Sequence, residues 1–134
     1  VGGLLMKYGK GTIIFARRTK FADNGRYDNR AGHPGMIPIA SDDLSDETYY
    51  LMLTSNVGRK NLSPEQYYDL SEVWEEIPLK KPSLINLQNI YKGHIEGGKL
   101  GGLQPQLYKD VIRELKKYQE VHPCANYEQI KEKI

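Results

Sequence analysis

The chain has 134 residues, of which 39% are hydrophobic and 27% charged, a composition typical of one globular domain and not of a disordered or fibrous chain. The single Cys124 excludes a disulfide framework and a cysteine-built zinc site, and no apolar run approaches the roughly 20 residues of a membrane span. The net charge is only +2, but seven basic and two acidic residues lie between positions 1 and 33, and nine acidic and two basic residues lie between 41 and 76. Such segregation can create a basic face that attracts phosphate backbones, although solvated loops account for the same pattern.

The first half of the chain predicts three strands. Residues 12–17 are rich in β-forming side chains, and turn-forming Asp, Asn and Gly residues follow them. Residues 36–40 predict a short strand that Pro38 confines to an edge or a bulge. After an acidic loop at 41–47, residues 49–54 (YYLMLT) predict the clearest buried strand in the chain.

The next segment is ambiguous between helix and strand. Ser63 as a cap with Pro64 in first position is typical of a helix start, yet residues 67–70 suit a strand equally well, and the pattern alone does not decide. Residues 82–87 predict another short strand. Residues 93–102 contain five glycines, which predict irregular structure.

The strongest helix prediction covers residues 104–121. Pro105 opens it, residues 122–123 (His-Pro) end it, and Asn126 with Gln129 as a capping-box partner predicts a further turn or two. One apolar stripe runs along the long helix at helical spacing: Leu107, Val111, Leu115 and Tyr118.

Several short strands followed by one long amphipathic helix predict an α+β fold. We expect a small twisted antiparallel β-barrel or sheet packed by helices, including a long C-terminal helix. No repeat or linker interrupts the sequence, so residues 1–134 are expected to form a single domain, with Met6 as the natural start and residues 1–5 as upstream additions. No signal peptide or membrane span is expected, which predicts a cytoplasmic protein.

One polar cluster directly follows the clearest strand. Thr54, Ser55 and Asn56 end that strand, and the cations Arg59 and Lys60 come next. Hydroxyls, an amide and two cations at the end of a rigid strand suit the binding of an anion. A simple chain turn at Thr54 and Ser55 explains the same residues.

A second polar cluster precedes the strand predicted at 36–40. It contains Arg26, Arg30 and His33. A histidine in a polar loop beside arginines can transfer protons near neutral pH, although many loop histidines are ordinary surface residues.

Familiar catalytic signatures are absent from the sequence. There is no phosphate-binding Gly-rich loop with Lys-Ser/Thr, no HExxH and no GxSxG. His33, His94 and His122 lack the spacing of metal ligands, so no metal or cofactor is expected. Cys124 lies two residues from His122, where side chains rarely converge, and is interpreted as structural.

Five short motifs occur together in an order that resembles one family: 37–39 (Ile-Pro-Ile), 53–55 (Leu-Thr-Ser), 67–70 (Tyr-Tyr-Asp-Leu), 84–87 (Leu-Ile-Asn-Leu) and 107–109 (Leu-Tyr-Lys). The motifs at 37–39 and 53–55 resemble those of proteins with the PemK-like ribonuclease toxin fold. The last four, in this order, resemble the RNA-inhibited toxins of type III toxin–antitoxin systems, the ToxN, TenpN and CptN group, with CptN the most similar subgroup. The resemblance extends from about Thr12 to Ile134, and it favours a strand at 67–70.

The resemblance implies a metal-independent endoribonuclease. The 2′-OH of the RNA attacks the adjacent phosphate, which leaves a 2′,3′-cyclic phosphate and a 5′-OH. Thr54 and Ser55 match the family motif and are implied to grip the scissile phosphate. His33 stands beside the place of a catalytic lysine that some relatives carry, and is assigned the proton transfer. Lys60 is assigned to offset the negative charge that develops on the scissile phosphate, although relatives carry a lysine at the position of Val57 in this chain.

The resemblance also implies an RNA-binding surface and an RNA partner. Tyr27 is a candidate base-stacking platform. The expected RNA-binding residues are Arg17, Arg18, Lys20, Tyr27, Arg30, Asn56 and Arg59. Substrate mRNA and a small structured antitoxin RNA from a repeat array are the implied partners, the latter in a toxin–RNA hetero-oligomer in the bacterial cytoplasm that can abort phage infection.

Two alternatives stay open. The first keeps the fold and replaces the partner: a type II MazF/PemK-like mRNA endoribonuclease with a protein antitoxin. The second is a non-catalytic RNA-binding barrel, in which the hydroxyls and His33 affect only binding. A neighbouring repeat array or a small neighbouring protein-coding gene distinguishes the two toxin types.

Overall fold

The structure is a computed structural model that describes residues 8–16, 19–20, 27–28, 33–40, 48–55, 64–77, 79–93 and 98–134, with the backbone alone at positions 16, 19, 20, 27, 28 and 33. These residues form an α+β fold, as predicted, with one 3₁₀ turn at Pro64–Gln66. The strands and helices in the described ranges are β1 Thr12–Ala16, β2 Thr19–Lys20, β3 Tyr27–Asp28, β4 His33–Met36, β5 Thr48–Thr54, β6 Tyr67–Asp69, β7 Leu84–Asn86, β8 Tyr91–Gly93, β9 Lys99–Gly102, α1 Pro105–Val121 and α2 Ala125–Ile130.

The main sheet is antiparallel and open. Its strands run in the order β6-β7-β5-β4-β1-β9, and β8 pairs with the first half of β5. Among the described strands, the outer strands β6 and β9 do not pair with each other, so the sheet form of the prediction is confirmed and the closed barrel is not observed. β2 and β3 form a separate two-stranded ribbon.

The two faces of the sheet bury different side chains. The helix face, which packs against α1 and α2, contributes the larger core, including Ile13, Met36, Leu51, Leu53 and Ile85. The second face carries a smaller cluster made of Tyr8, Ile14, Ile37, Tyr50 and Tyr91. Because strand side chains alternate between faces, this burial fixes the side on which every other strand residue lies.

The long helix forms as predicted. Pro105 occupies its first turn, where a missing N–H costs nothing, and the helix ends at Val121, with His122 as its C-cap before Pro123. Val111 and Leu115 are fully buried, whereas Leu107 and Tyr118 pack partly buried against the same core. In the described ranges, no helix combines the length and apolar composition needed to cross a membrane.

A buried glutamine joins the two helices to the sheet. The Gln119 side chain is completely buried. Its Nε2 donates to the backbone oxygens of Leu87, at 2.7 Å, and Gln88, at 3.0 Å, and its Oε1 accepts the Cys124 backbone N–H at 2.8 Å. One amide thus satisfies three backbone groups between α1, the start of α2 and the segment after β7.

The predicted cap of the last helix is wrong. Cys124, not Asn126, is the N-cap residue of α2. Asn126 lies inside the helix, and its Nδ2 donates 2.7 Å to the backbone oxygen of Ile90. The Asn126 amide satisfies a distant carbonyl, so the capping box with Gln129 does not form.

The strand predicted at 36–40 lies earlier in the chain. β4 covers His33–Met36, which also corrects the prediction that His33 belongs to a loop. Pairing with the β1 segment ends at Ile37, whose N–H donates to the Thr12 oxygen and whose oxygen accepts from Gly11. Pro38 has no N–H and cannot continue this pattern.

The glycine-rich segment is not irregular throughout. β9 forms at Lys99–Gly102 and pairs with β1, with a register shift between Ile13 and Ile14. Backbone hydrogen bonds from Phe15 to Gly98 and from Leu103 to Gly11 extend the pairing. Main-chain bonding to an edge position therefore outweighs the low strand propensity of glycine.

The ambiguous segment contains both predicted structures in short form. The helix start at Pro64 yields a single 3₁₀ turn, and Tyr67–Asp69 then forms β6, as the family resemblance favoured. The strand predicted within 82–87 is confirmed as β7. Ser63 lies outside the described residues.

We expect Gln119→Ala to lower the free energy of unfolding by about 3 kcal/mol, because it leaves three backbone groups without their partner. Gln129→Ala makes the same chemical change at an exposed position and should cost less than about 0.5 kcal/mol. Urea denaturation of both variants measures the difference. Equal stability of the two would contradict the role assigned to Gln119.

Alkaline pH should destabilise the protein through Tyr127. Burial, together with the hydrogen bond that its hydroxyl donates to Glu120, raises the pKa of Tyr127 from 10.0 to about 12. The unfolded chain therefore loses this proton first, and the resulting stability is present below pH 10 and lost as pH rises toward 12. Tyr127→Phe should flatten the fall in unfolding free energy across this window, and an unchanged slope would refute the assignment.

Candidate functional site

The pairing of β4 with β5 brings the two predicted polar clusters together. Gly35 pairs with Met52 in the antiparallel register of these strands. Continued to the strand ends, the same register sets His33 level with Thr54. Opposed residues in such a pair have Cα atoms about 5 Å apart.

The neighbouring strands extend this alignment into a row across one end of the sheet. Ala16 of β1 pairs with His33, Thr54 of β5 pairs with Leu84, and Leu84 pairs in turn with Asp69 of β6. We call these five positions the end row. Two segments with predicted RNA contacts leave the sheet here, after Ala16 and after Thr54.

The hydroxyls predicted to bind phosphate lie at this row. Thr54 is half-buried, and alternation puts it on the second face with Met52 and Tyr50. Ser55 follows at once and is exposed. The pairing of Leu53 and Thr54 with β7 holds the backbone at this point, and the hydroxyls of Thr54 and Ser55 are groups of the kind that donate to an oxyanion.

Gly35 allows β4 to pack closely against the Tyr50 side chain of β5. A Cβ at Gly35 would stand 3.0 Å from Cδ2 of the Tyr50 ring and 3.2 Å from the Leu51 backbone oxygen. The Tyr50 ring also stacks on Tyr91, with centroids 5.8 Å apart. This close packing holds the two strands that carry His33 and Thr54 in fixed relative positions.

The ribbon β2–β3 pairs two of the predicted RNA-binding positions. Lys20 and Tyr27 are cross-strand partners. Two residues separate β1 from β2, so the ribbon begins within about 11 Å of Ala16. β2 lies close to β8. The backbone therefore carries a predicted phosphate contact and a predicted stacking platform side by side on a ribbon tethered to the end row.

The remaining predicted site residues lie outside the described residues. His33, Lys20 and Tyr27 are described by their backbone, and Thr54 and Ser55 completely. The predicted residues that fall outside are Arg17, Arg18, Arg30, Asn56, Arg59 and Lys60.

The sequence analysis missed a polar group that shares the second face with Thr54. Leu84 pairs with Asp69 and Asn86 with Tyr67, so alternation puts Tyr67, Asp69 and Asn86 on the side of Thr54. The alternation within Tyr-Tyr-Asp was the available signal.

Tyr68 faces the opposite way, toward α1. It packs against the larger core. Burial and then the nearby Asp110 carboxylate raise the pKa of Tyr68. Adjacent tyrosines of one strand therefore lie in different environments.

The described side chains of the end row offer the half-buried Thr54 hydroxyl and the exposed Asp69 carboxylate, and the exposed Ser55 follows Thr54. In the ranges that the structure describes, no group of three His, Cys, Asp or Glu side chains is arranged to hold a metal ion. Hydroxyl and peptide N–H donors suit an anionic oxygen.

Neither the protein-family models nor the curated proteins match this sequence. The function must therefore be inferred from the residues of the chain itself.

The level placement of His33 and Thr54 is testable by disulfide formation. With Cys124 replaced by Ala, the pair His33→Cys and Thr54→Cys should oxidise to an intramolecular bridge, because opposed strand residues have the Cα separation that a disulfide needs. Pairing His33→Cys with Met52→Cys sets the thiols on a diagonal and should bridge poorly. Mass spectrometry of the oxidised proteins detects the loss of two hydrogens. Equal bridging in both pairs would contradict the register.

Proposed function

We propose that this chain is a metal-independent endoribonuclease with a PemK-like fold, the toxin of a type III toxin–antitoxin system. The observation that carries the proposal is the register of β4 and β5, in which Gly35 pairs with Met52, because its continuation by two residues sets His33 level with Thr54, the residue before Ser55. A proton-transfer group and two hydroxyl donors from separate parts of the sequence thus come to one end of one sheet.

The proposed reaction is a transesterification within the RNA. The bond between the 2′ oxygen and phosphorus forms as the bond between phosphorus and the 5′ oxygen breaks. The proton of the 2′-OH leaves to a base, and the 5′ oxygen receives a proton from an acid. His33 serves in this proton transfer, because imidazole exchanges protons near neutral pH.

The hydroxyls act on the phosphate itself. Thr54 and Ser55 donate to its non-bridging oxygens, which gain negative charge as phosphorus becomes five-coordinate. Since the donors extend from a paired strand, little reorganisation is needed during the reaction. Lys60 follows in the chain and is proposed to offset the same charge.

RNA binding is assigned to the residues around the end row. Lys20, Arg17 and Arg18 follow β1 and neutralise phosphates, and Tyr27, the strand partner of Lys20, stacks on a base. Arg30, Asn56 and Arg59 are proposed to extend this surface.

The proposed partners are two RNAs. Substrate mRNA is cut, whereas a small structured antitoxin RNA occupies the same surface and forms a hetero-oligomer with the toxin. Both RNAs present phosphates to the same cations, so one surface serves catalysis and inhibition. Such a system would act in the bacterial cytoplasm, for instance in abortive phage infection.

Thr54→Ala and Ser55→Ala should each slow RNA cleavage by about 10²-fold or more and leave RNA affinity nearly unchanged, because the hydroxyls act mainly on charge that develops in the transition state. His33→Ala should behave similarly. Thr12→Ala is the matched control, since Thr12 lies at the other end of β1 and pairs with Gly102. Single-turnover cleavage and RNA-binding titrations measure the two quantities.

Two outcomes would replace this proposal with an alternative. Equal loss of cleavage and binding in the Thr54 and Ser55 variants would favour an RNA-binding protein in which these hydroxyls only hold RNA. Inhibition of cleavage by a small protein encoded next to this chain, and not by a repeat-derived RNA, would indicate a type II toxin.

A further inference from the structure

Among the described tyrosine side chains, Tyr67 is the one that belongs to neither core cluster and does not pack against either of them. Nine tyrosine side chains are described, and eight of them belong to one of the two core clusters or pack against one. Tyr67 is the exception among these nine. Its side chain is half-buried, although its neighbour Tyr68 packs into the core under α1.

Tyr67 lies on the same face of the sheet as the proposed catalytic hydroxyl. The pairings of Thr54 with Leu84 and of Asn86 with Tyr67 connect them across β7. Two strand spacings across the sheet and two residues along it put their Cα atoms about 12 Å apart. That distance is within reach of a nucleotide adjacent to the one that is cut.

The charged residue closest to Tyr67 along β6 is acidic, which bears on the part of the RNA that can approach the ring. Asp69 lies two residues along β6 on the same face and is exposed. One of its carboxylate oxygens accepts the Ser71 backbone N–H, at 2.7 Å, which holds the side chain near this end of the strand. The Tyr67 ring is flat and uncharged, and the only charged residue of β6 is an acidic one, so a base suits this position better than a phosphate.

We infer that Tyr67 is a stacking platform for the base of a nucleotide next to the scissile phosphate. The inference rests on the proposed endoribonuclease function and adds a base subsite on β6, separate from the ribbon that carries Tyr27. Stacking on an aromatic ring accepts any base, so Tyr67 supplies affinity and positions the strand for in-line attack.

The test uses RNA whose cleavage site has been mapped with the wild-type protein. A 2′-deoxy nucleotide at that site removes the nucleophile, so that binding is measured without cleavage. Tyr67→Leu should weaken binding about 10-fold, whereas Tyr67→Phe, which keeps the ring, should stay within about twofold of wild type. The salt dependence of binding should not change, because no phosphate contact is lost.

Tyr49→Leu is the matched control. Tyr49 is a half-buried tyrosine of β5 that packs against the core on the helix face, so its replacement should leave RNA affinity unchanged. Melting temperatures of all variants separate loss of binding from loss of folding.

A second measurement on the wild-type protein avoids any folding defect. RNA carrying 5-iodouridine at successive positions around the deoxy nucleotide should photocross-link to Tyr67 from one adjacent position. Unchanged affinity of Tyr67→Leu, or cross-links that omit Tyr67, would overturn the inference while wild-type cleavage keeps the proposed function intact. A wild-type protein that neither binds nor cuts RNA would instead reject the proposed function, and the inference with it.

Discussion

The architecture depends on the pairing of β5 with strands on both of its edges. β8 pairs with its first residues, β4 with its middle and β7 with its end. Burial of Leu51 and Leu53 on the helix face fixes which side chains turn the other way. A slip of one residue would exchange the two faces and bury Thr54 where Leu53 now lies. The register of one strand therefore determines both the larger core and the composition of the end row.

Stability and chemistry occupy different parts of the molecule. The helix face is closed by α1 and α2, which the Gln119 amide joins to the sheet. The end row carries the Thr54 hydroxyl, and the sequence continues from Ala16 into Arg17 and Arg18 and from Thr54 toward Arg59 and Lys60. The larger core beneath the helices is therefore separate from the end of the sheet where the proposed site lies.

The sequence predicted those elements whose own residues decide their structure. The apolar run of β5 and the proline-opened, stripe-bearing α1 needed no long-range information. The wrong predictions concern residues whose structure depends on partners far away in the sequence. The glycine-rich β9 forms because it pairs with β1 through backbone hydrogen bonds. Asn126 does not cap α2, because its side chain donates to the Ile90 carbonyl. His33 was expected in a loop because pairing with β1 is invisible in a local pattern. The sequence motif identifies Thr54 and Ser55 as candidate site residues. The level position of His33 and Thr54 follows only from the register of β4 and β5, continued to the strand ends.

The most direct test of the central claim is to map the ends of cellular RNA incubated with the purified, RNA-free protein in EDTA. The account predicts discrete cuts that carry 2′,3′-cyclic phosphates and 5′-OH groups, because the attacking oxygen belongs to the RNA and the proton transfers belong to the protein. No cuts, or cuts that appear only when a divalent metal is restored, would contradict it.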